Sequence, residues 1–143
     1  MQIKRSASAV WNGGIKDGKG AISTGSGALK AYPYGFAARF EGQPGTNPEE
    51  LLGAAHAGCF TMALSLILTE EKLTVTELAT TAEVTLEKQD AGFTITAVHL
   101  TLKGRVPGVD AAKFTQLATK AKENCPLSKV IKANITMSAE LLA

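Results

Sequence analysis

The sequence predicts an α+β fold in which a mostly antiparallel sheet carries a long buried central helix and a second, amphipathic helix. Three observations lead there. Apolar and polar residues alternate with period two over 82–86, 98–102 and 135–141, as half-buried strands require. An 18-residue stretch, 51–68, holds no Asp, Glu, Lys or Arg. Phe114, Leu117, Ala118 and Ala121 fall at i, i+3, i+4 and i+7, the spacing of one helix face.

Taken in order, Ile3, Ala7, Ala9 and Trp11 share one parity, Asn12-Gly13 suits a type I′ turn, and a second run continues to about Ser23, so a β-hairpin opens the chain. Residues 25–35 read as loop or edge, and 36–40 as a short strand before the turn at 41–45. Asn47 is a natural cap, Pro48 suits the first helical position, and Glu49 and Glu50 stand where the helix dipole favours negative charge. That helix should run to about Glu70. Ala82, Val84 and Leu86 then alternate with Glu83, Thr85 and Glu87, and 89–92 turns the chain into a second hairpin. Parity flips between Ala97 and Val98, which predicts a β-bulge near Ala97. Asp110 caps the amphipathic helix, which should end near Asn124, and 134–141 closes the chain as a strand.

At 143 residues and 14.9 kDa the chain has the size of one domain, 1–143, without internal repeats or a linker. Fifteen Lys and Arg against thirteen Asp and Glu leave a net charge of +2, scattered rather than striped, so nucleic acid is not expected as a partner. Residues 1–10 alternate where a signal peptide would be continuously apolar, which points to the cytoplasm. The uncharged stretch 51–68 reaches the lower edge of a membrane span. Its Gly, Ala, Thr, Ser and His56 content and its acidic flanks suit a buried helix better, and no membrane association is expected.

Two cysteines, Cys59 and Cys125, lie 66 residues apart (125 − 59) with no CxxC pairing. In a reducing compartment such a pair is more often free, metal-bound or redox-active than a structural bridge. Cys59 sits among small residues and reads equally as helix packing. Cys125, directly before Pro126, occupies an N-cap, where a thiolate is favoured. Arg39, in an apolar and aromatic setting at 36–40, is either an outward-facing strand charge or a cation that lowers the pKa of a nearby thiol. His56, His99 and Cys125 lack the close paired spacing of zinc ligands, and the Gly-rich segment 13–27 fits no nucleotide loop, so neither metal nor cofactor is expected.

Four segments carry a resemblance: 34–42 with Arg39, 45–51 with Glu49, 56–60 with His56 and Cys59, and 125–128 with Cys125 and Pro126. In this order, over essentially the whole chain, they resemble the OsmC/Ohr family of thiol-dependent peroxidases. The resemblance implies an OsmC-like fold, an intertwined homodimer with sites at the subunit interface, and protection against oxidative and osmotic stress. It implies that Cys59 attacks the peroxide, that Cys125 resolves the sulfenic acid as an intramolecular disulfide, and that Arg39 paired with Glu49, or its neighbour Glu50, activates Cys59. It further implies organic hydroperoxides as substrates, approached past Phe36, Phe40, Phe60, Leu51 and Leu52, and a dithiol such as a lipoylated protein as reductant. Glu49 and Cys59, ten residues apart on one helix (59 − 49), are separated by about 15 Å along its axis. A site holding both therefore takes Glu49 from a second subunit. The rival reading is a non-enzymatic small-ligand or metal-binding domain on the same fold.

Overall fold

The computed structural model describes every residue from Met1 to Ala143, and the chain forms two compact units, Met1–Pro48 and Glu49–Ala143. In the first unit, β1 (Ala7–Asn12), β2 (Lys19–Thr24) and β3 (Tyr32–Tyr34) form an antiparallel sheet with β2 in the centre. The opening hairpin is present, but its loop is not the expected two-residue turn at Asn12-Gly13. Asn12 pairs with Lys19, so the connection spans 13–18, closed by the Gly18 N–H donating to the Gly14 carbonyl at 2.8 Å. The Trp11 indole also donates to the Gly13 carbonyl at 3.0 Å and stacks edge-on against Tyr34, with ring centroids 5.6 Å apart. Gly20 sits under both rings, where an added Cβ would collide with Tyr34 and Trp11. Pro33 is confined to the edge strand, where its missing N–H costs no ladder bond.

Residues 36–40 are not a strand. They form α1 (Phe36–Phe40), a single helical turn. Ala37 and Ala38 favour helix, and Phe36 and Phe40 at i, i+4 bring their rings to 5.0 Å on one face, a contact that a strand would place out of reach. The edge position is already filled by β3.

The second unit contains α2 (Pro48–Glu70), β4 (Glu77–Gln89), β5 (Gly92–Arg105), α3 (Ala111–Asn124), α4 (Pro126–Val130) and β6 (Asn134–Leu141). α2 has the expected bounds, with Pro48 at its start and two acids in its first turn. It ends without glycine: Lys72 adopts the left-handed conformation (φ 65°) and lets the Leu73 N–H reach the Leu68 carbonyl at 3.0 Å. The sheet order is β4-β5-β6. β4 and β5 pair antiparallel, and the ladder steps between Thr85/Ala97 and Leu86/Ile95, leaving Thr96 as the extra residue of a bulge where parity placed it. β6 runs parallel to β5, because α3 and α4 carry the chain back before it enters the sheet. This sheet is thus mixed, with one antiparallel and one parallel pair, while the sheet of the first unit is wholly antiparallel.

A single core joins these elements. α2 contributes the stripe Gly53, His56, Phe60, Leu64 and Leu68, β5 contributes Val98, Leu100 and Leu102, and α3 contributes Phe114, Leu117, Ala118 and Ala121, all buried. Asp110 caps α3 by accepting the Lys113 N–H at 2.7 Å. Gly104 on β5 is required by close approach: an added Cβ would lie 2.5 Å from the Phe114 ring. α2 is long and apolar enough to cross a membrane by length and composition, but its stripe is committed to this core. Its opposite face is also apolar, with Met62 76% and Leu66 60% exposed.

Candidate active site around the cysteine pair

Cys59 lies on α2 beside the core residue Phe60 and is half-buried, while Cys125 is fully buried at the junction of α3 and α4. Cys125 ends α3, its N–H donating to the Ala121 carbonyl at 2.9 Å, and then turns extended (φ −64°, ψ 141°) because Pro126 excludes helical backbone at the preceding residue. This break starts α4 in a new direction and makes Cys125 its N-cap, with Sγ accepting the Ser128 N–H at 3.4 Å. α4 is one turn of five residues, so what reaches the sulfur is this individual N–H rather than a helix dipole.

The fold closes the 66-residue gap (125 − 59). Cys59 packs against the core cluster that contains Cys125, near enough for Cys125 and the Leu127 N–H each to act on the Cys59 thiol. Both thiols are free, and α4 supplies backbone N–H groups to their surroundings, Ser128 to Cys125 Sγ directly and Leu127 near Cys59. Burial pushes the Cys59 thiol above its ordinary value; the adjoining Cys125 adds to the rise and the Leu127 N–H opposes it. The pair is thus placed for sulfur-to-sulfur chemistry, but these groups leave Cys59 protonated at neutral pH.

Arg39 is exposed on α1, in the first unit, with its guanidinium 5.2 Å from the Phe40 ring centroid. The outward-facing charge is thus there, but on a helical turn rather than on the expected strand. With Trp11, Tyr34, Phe36 and Phe40 it lines an open, mainly apolar cavity of about 310 Å³. At the start of α2, Glu49 is buried and Glu50 exposed. Glu49 stays one uninterrupted helix, about 15 Å, away from Cys59. Phe60 belongs to the core, 0% exposed, and cannot line a substrate approach.

The family model of OsmC-like proteins matches residues 40–140, a span that includes both cysteines and Glu49 and stops one residue short of Arg39. Peroxiredoxin OsmC of Escherichia coli (strain K12) is 55% identical over 141 residues, which are 99% of each chain. The chain belongs to the OsmC family. Organic hydroperoxide resistance protein OhrB of Bacillus subtilis (strain 168) is 34% identical over 105 residues, 73% of this chain and 75% of its own. A crystal structure of OhrB of Bacillus subtilis has a TM-score of 0.68 at 30% identity, covering 96% of this chain and 98% of that one.

Within this OsmC-family chain the structure adds two residues to the cysteine cluster. Ser128 Oγ lies 3.1 Å from Cys125 Sγ and 2.8 Å from His56 Nε2. Sequence reasoning weighed His56 only as a metal ligand. The usable signal was position: His56 precedes Cys59 by three residues, one turn on the same helix, and Ser128 follows Cys125 by three. His99 takes no part, since its ring is bound to Thr136 and Ser138 at 2.5 and 3.1 Å across the β5–β6 ladder.

Proposed function

We propose that this chain is a thiol-dependent peroxidase that reduces organic hydroperoxides to alcohols. The observation that carries the reading is the nearness of Cys59, on α2, to Cys125, the N-cap of α4, two thiols drawn from distant parts of the sequence. The names of the relatives, a peroxiredoxin and organic hydroperoxide resistance proteins, support the same chemistry.

In the first step the Cys59 thiolate attacks the terminal oxygen of the hydroperoxide. The O–O bond breaks, Cys59 becomes a sulfenic acid, and the alkoxide leaves with a proton as alcohol. Cys125 then attacks the Cys59 sulfur, the S–O bond breaks, and a disulfide and water form. An external dithiol, a lipoylated protein being the class we favour, returns both residues to thiols by exchange. Burial raises the Cys59 thiol, so a positive charge must lower it again. We assign that role to Arg39, which also meets the charge developing on the leaving oxygen. Its aromatic cavity suits the organic part of a hydroperoxide, so organic substrates should react faster than hydrogen peroxide.

We further propose a homodimer with sites at the subunit interface. Glu49 is too far along α2 to serve Cys59 of its own chain, so Glu49 of the partner subunit would hold Arg39 in place. The exposed apolar face at Met62 and Leu66 supports this assembly, since it is the surface a second copy would cover.

The test is direct. Reduced protein mixed with one equivalent of cumene hydroperoxide should lose both free thiols, and its intact mass should fall by two hydrogens. Unreactive thiols together with bound zinc would support the ligand-binding alternative, and peroxide consumption by a Cys59→Ser protein would refute the role of Cys59.

A further inference from the structure

Three side chains form a file that ends on the second sulfur. His56 Nε2 lies 2.8 Å from Ser128 Oγ, which lies 3.1 Å from Cys125 Sγ. His56 is fully buried, and its other ring nitrogen, Nδ1, has no hydrogen-bond partner. Desolvation lowers the pKa of the ring, so the imidazole is neutral, with one N–H and one lone pair to place. A hydrogen on Nδ1 would be a buried donor without an acceptor, whereas a bare lone pair there is the cheaper omission. The hydrogen therefore belongs on Nε2, which donates to Ser128 Oγ. Accepting from Nε2 leaves the Ser128 hydroxyl hydrogen available to Cys125 Sγ, 3.1 Å away, which also receives the Ser128 N–H at 3.4 Å.

We infer that His56 is a positioning residue for disulfide formation: it locks the Ser128 hydroxyl as a donor to Cys125 Sγ, so that two donors already face this sulfur when it attacks oxidised Cys59. The inference rests on the peroxidase reading. In this step the Cys125 S–H and Cys59 S–O bonds break, the S–S bond forms, and the hydroxyl departs with the thiol hydrogen as water. The negative charge that builds on Cys125 as its hydrogen leaves is met by Ser128 Oγ–H and N–H, and neither donor is consumed. A sulfenic acid trapped quickly is protected from further, irreversible oxidation, so the file acts on the fate of Cys59 without touching the peroxide.

The experiment separates the two steps by rapid mixing with one equivalent of cumene hydroperoxide, quenching with a sulfenic-acid trap and reading adduct and disulfide by intact mass. A hydrogen bond to a developing charge is worth about 1.5–3 kcal/mol, so His56→Leu and Ser128→Ala should slow disulfide formation about 10- to 100-fold and accumulate trapped Cys59. His56→Gln, whose amide N–H can donate to Ser128, should recover most of the rate, which loss of packing alone would not permit. Ser128→Ala lies on a half-buried position and keeps the test open should His56→Leu fail to fold. Disulfide formation in Ser128→Ala as fast as in the parent, or in His56→Gln as slow as in His56→Leu, would overturn the inference. First-step chemistry is read independently in Cys125→Ser; absence of a sulfenic acid there defeats the peroxidase reading, and this inference with it.

Discussion

Replacing Arg39 by Met should convert a peroxidase that works at neutral pH into one that needs alkali. Cys59 starts from an ordinary thiol value of 9.0, and burial together with the adjacent Cys125 raises it, with only the Leu127 N–H in opposition. Even at 9.0, about 1% of the thiol would be ionised at pH 7, and the raised value lowers that fraction further. Only the thiolate attacks the peroxide. The sign follows: without a cation, the rate at pH 7 should lie at least about 100-fold below its own alkaline plateau and climb about tenfold per pH unit between 7 and 9. The parent, with Arg39, should reach its plateau at lower pH. Arg39 is exposed and its contact with Phe40 contributes about 0.5–1 kcal/mol, so the variant should fold, which thermal unfolding will verify. The assay is stopped-flow oxidation by cumene hydroperoxide from pH 6.5 to 9.5, followed through thiol loss. A variant rate that is flat over this range, or equal to the parent at pH 7, would refute the assignment of Arg39 and the electrostatic reasoning behind it.

Cys125→Ser should complete one oxidation and stall, with a trapped adduct on Cys59 and no intramolecular disulfide by mass spectrometry. Gly104→Ala places a methyl group 2.5 Å from the Phe114 ring and should destabilise by about 1–3 kcal/mol, read as a lowered urea midpoint; an unchanged midpoint would show that Phe114 can move aside. Leu64→Ala, at a fully buried position of α2, should cost about 3–5 kcal/mol in the same assay. Leu66→Glu, on the exposed apolar face of α2, should leave the secondary structure intact and shift a homodimer to monomer in light scattering; a variant that stays dimeric would place the interface elsewhere.

Most of the element boundaries in Glu49–Ala143 follow from local chemistry. Asn47-Pro48-Glu49-Glu50 starts α2, Asp110 caps α3, the alternation at 134–141 marks β6, and the parity change beside Ala97 marks the bulge, because each signal acts within a few residues of itself. Phe36–Phe40 escaped this reading because five residues show too few turns for period 3.6 to be told from period 2, and only the Phe36–Phe40 ring contact distinguishes them. The six-residue loop after Asn12 escaped because its length depends on where Lys19 finds its partner across the hairpin. The parallel pairing of β6 was equally invisible, since alternation states which face a strand buries but not its direction beside β5.

By itself, then, the amino-acid order determined most of the helices and strands, the two thiols and the family to which the chain belongs. What only the tertiary structure decided is who meets whom: that Cys125, released from α3 by Pro126, comes to rest near Cys59, and that His56 reaches Ser128 72 positions away. It also decided how far burial and Cys125 raise the Cys59 thiol against the Leu127 N–H. A thiol's ionisation depends on the water it has lost and the charges beside it, and both are set by segments distant in sequence, so the raised thiol became visible only once α2 and α4 were packed together.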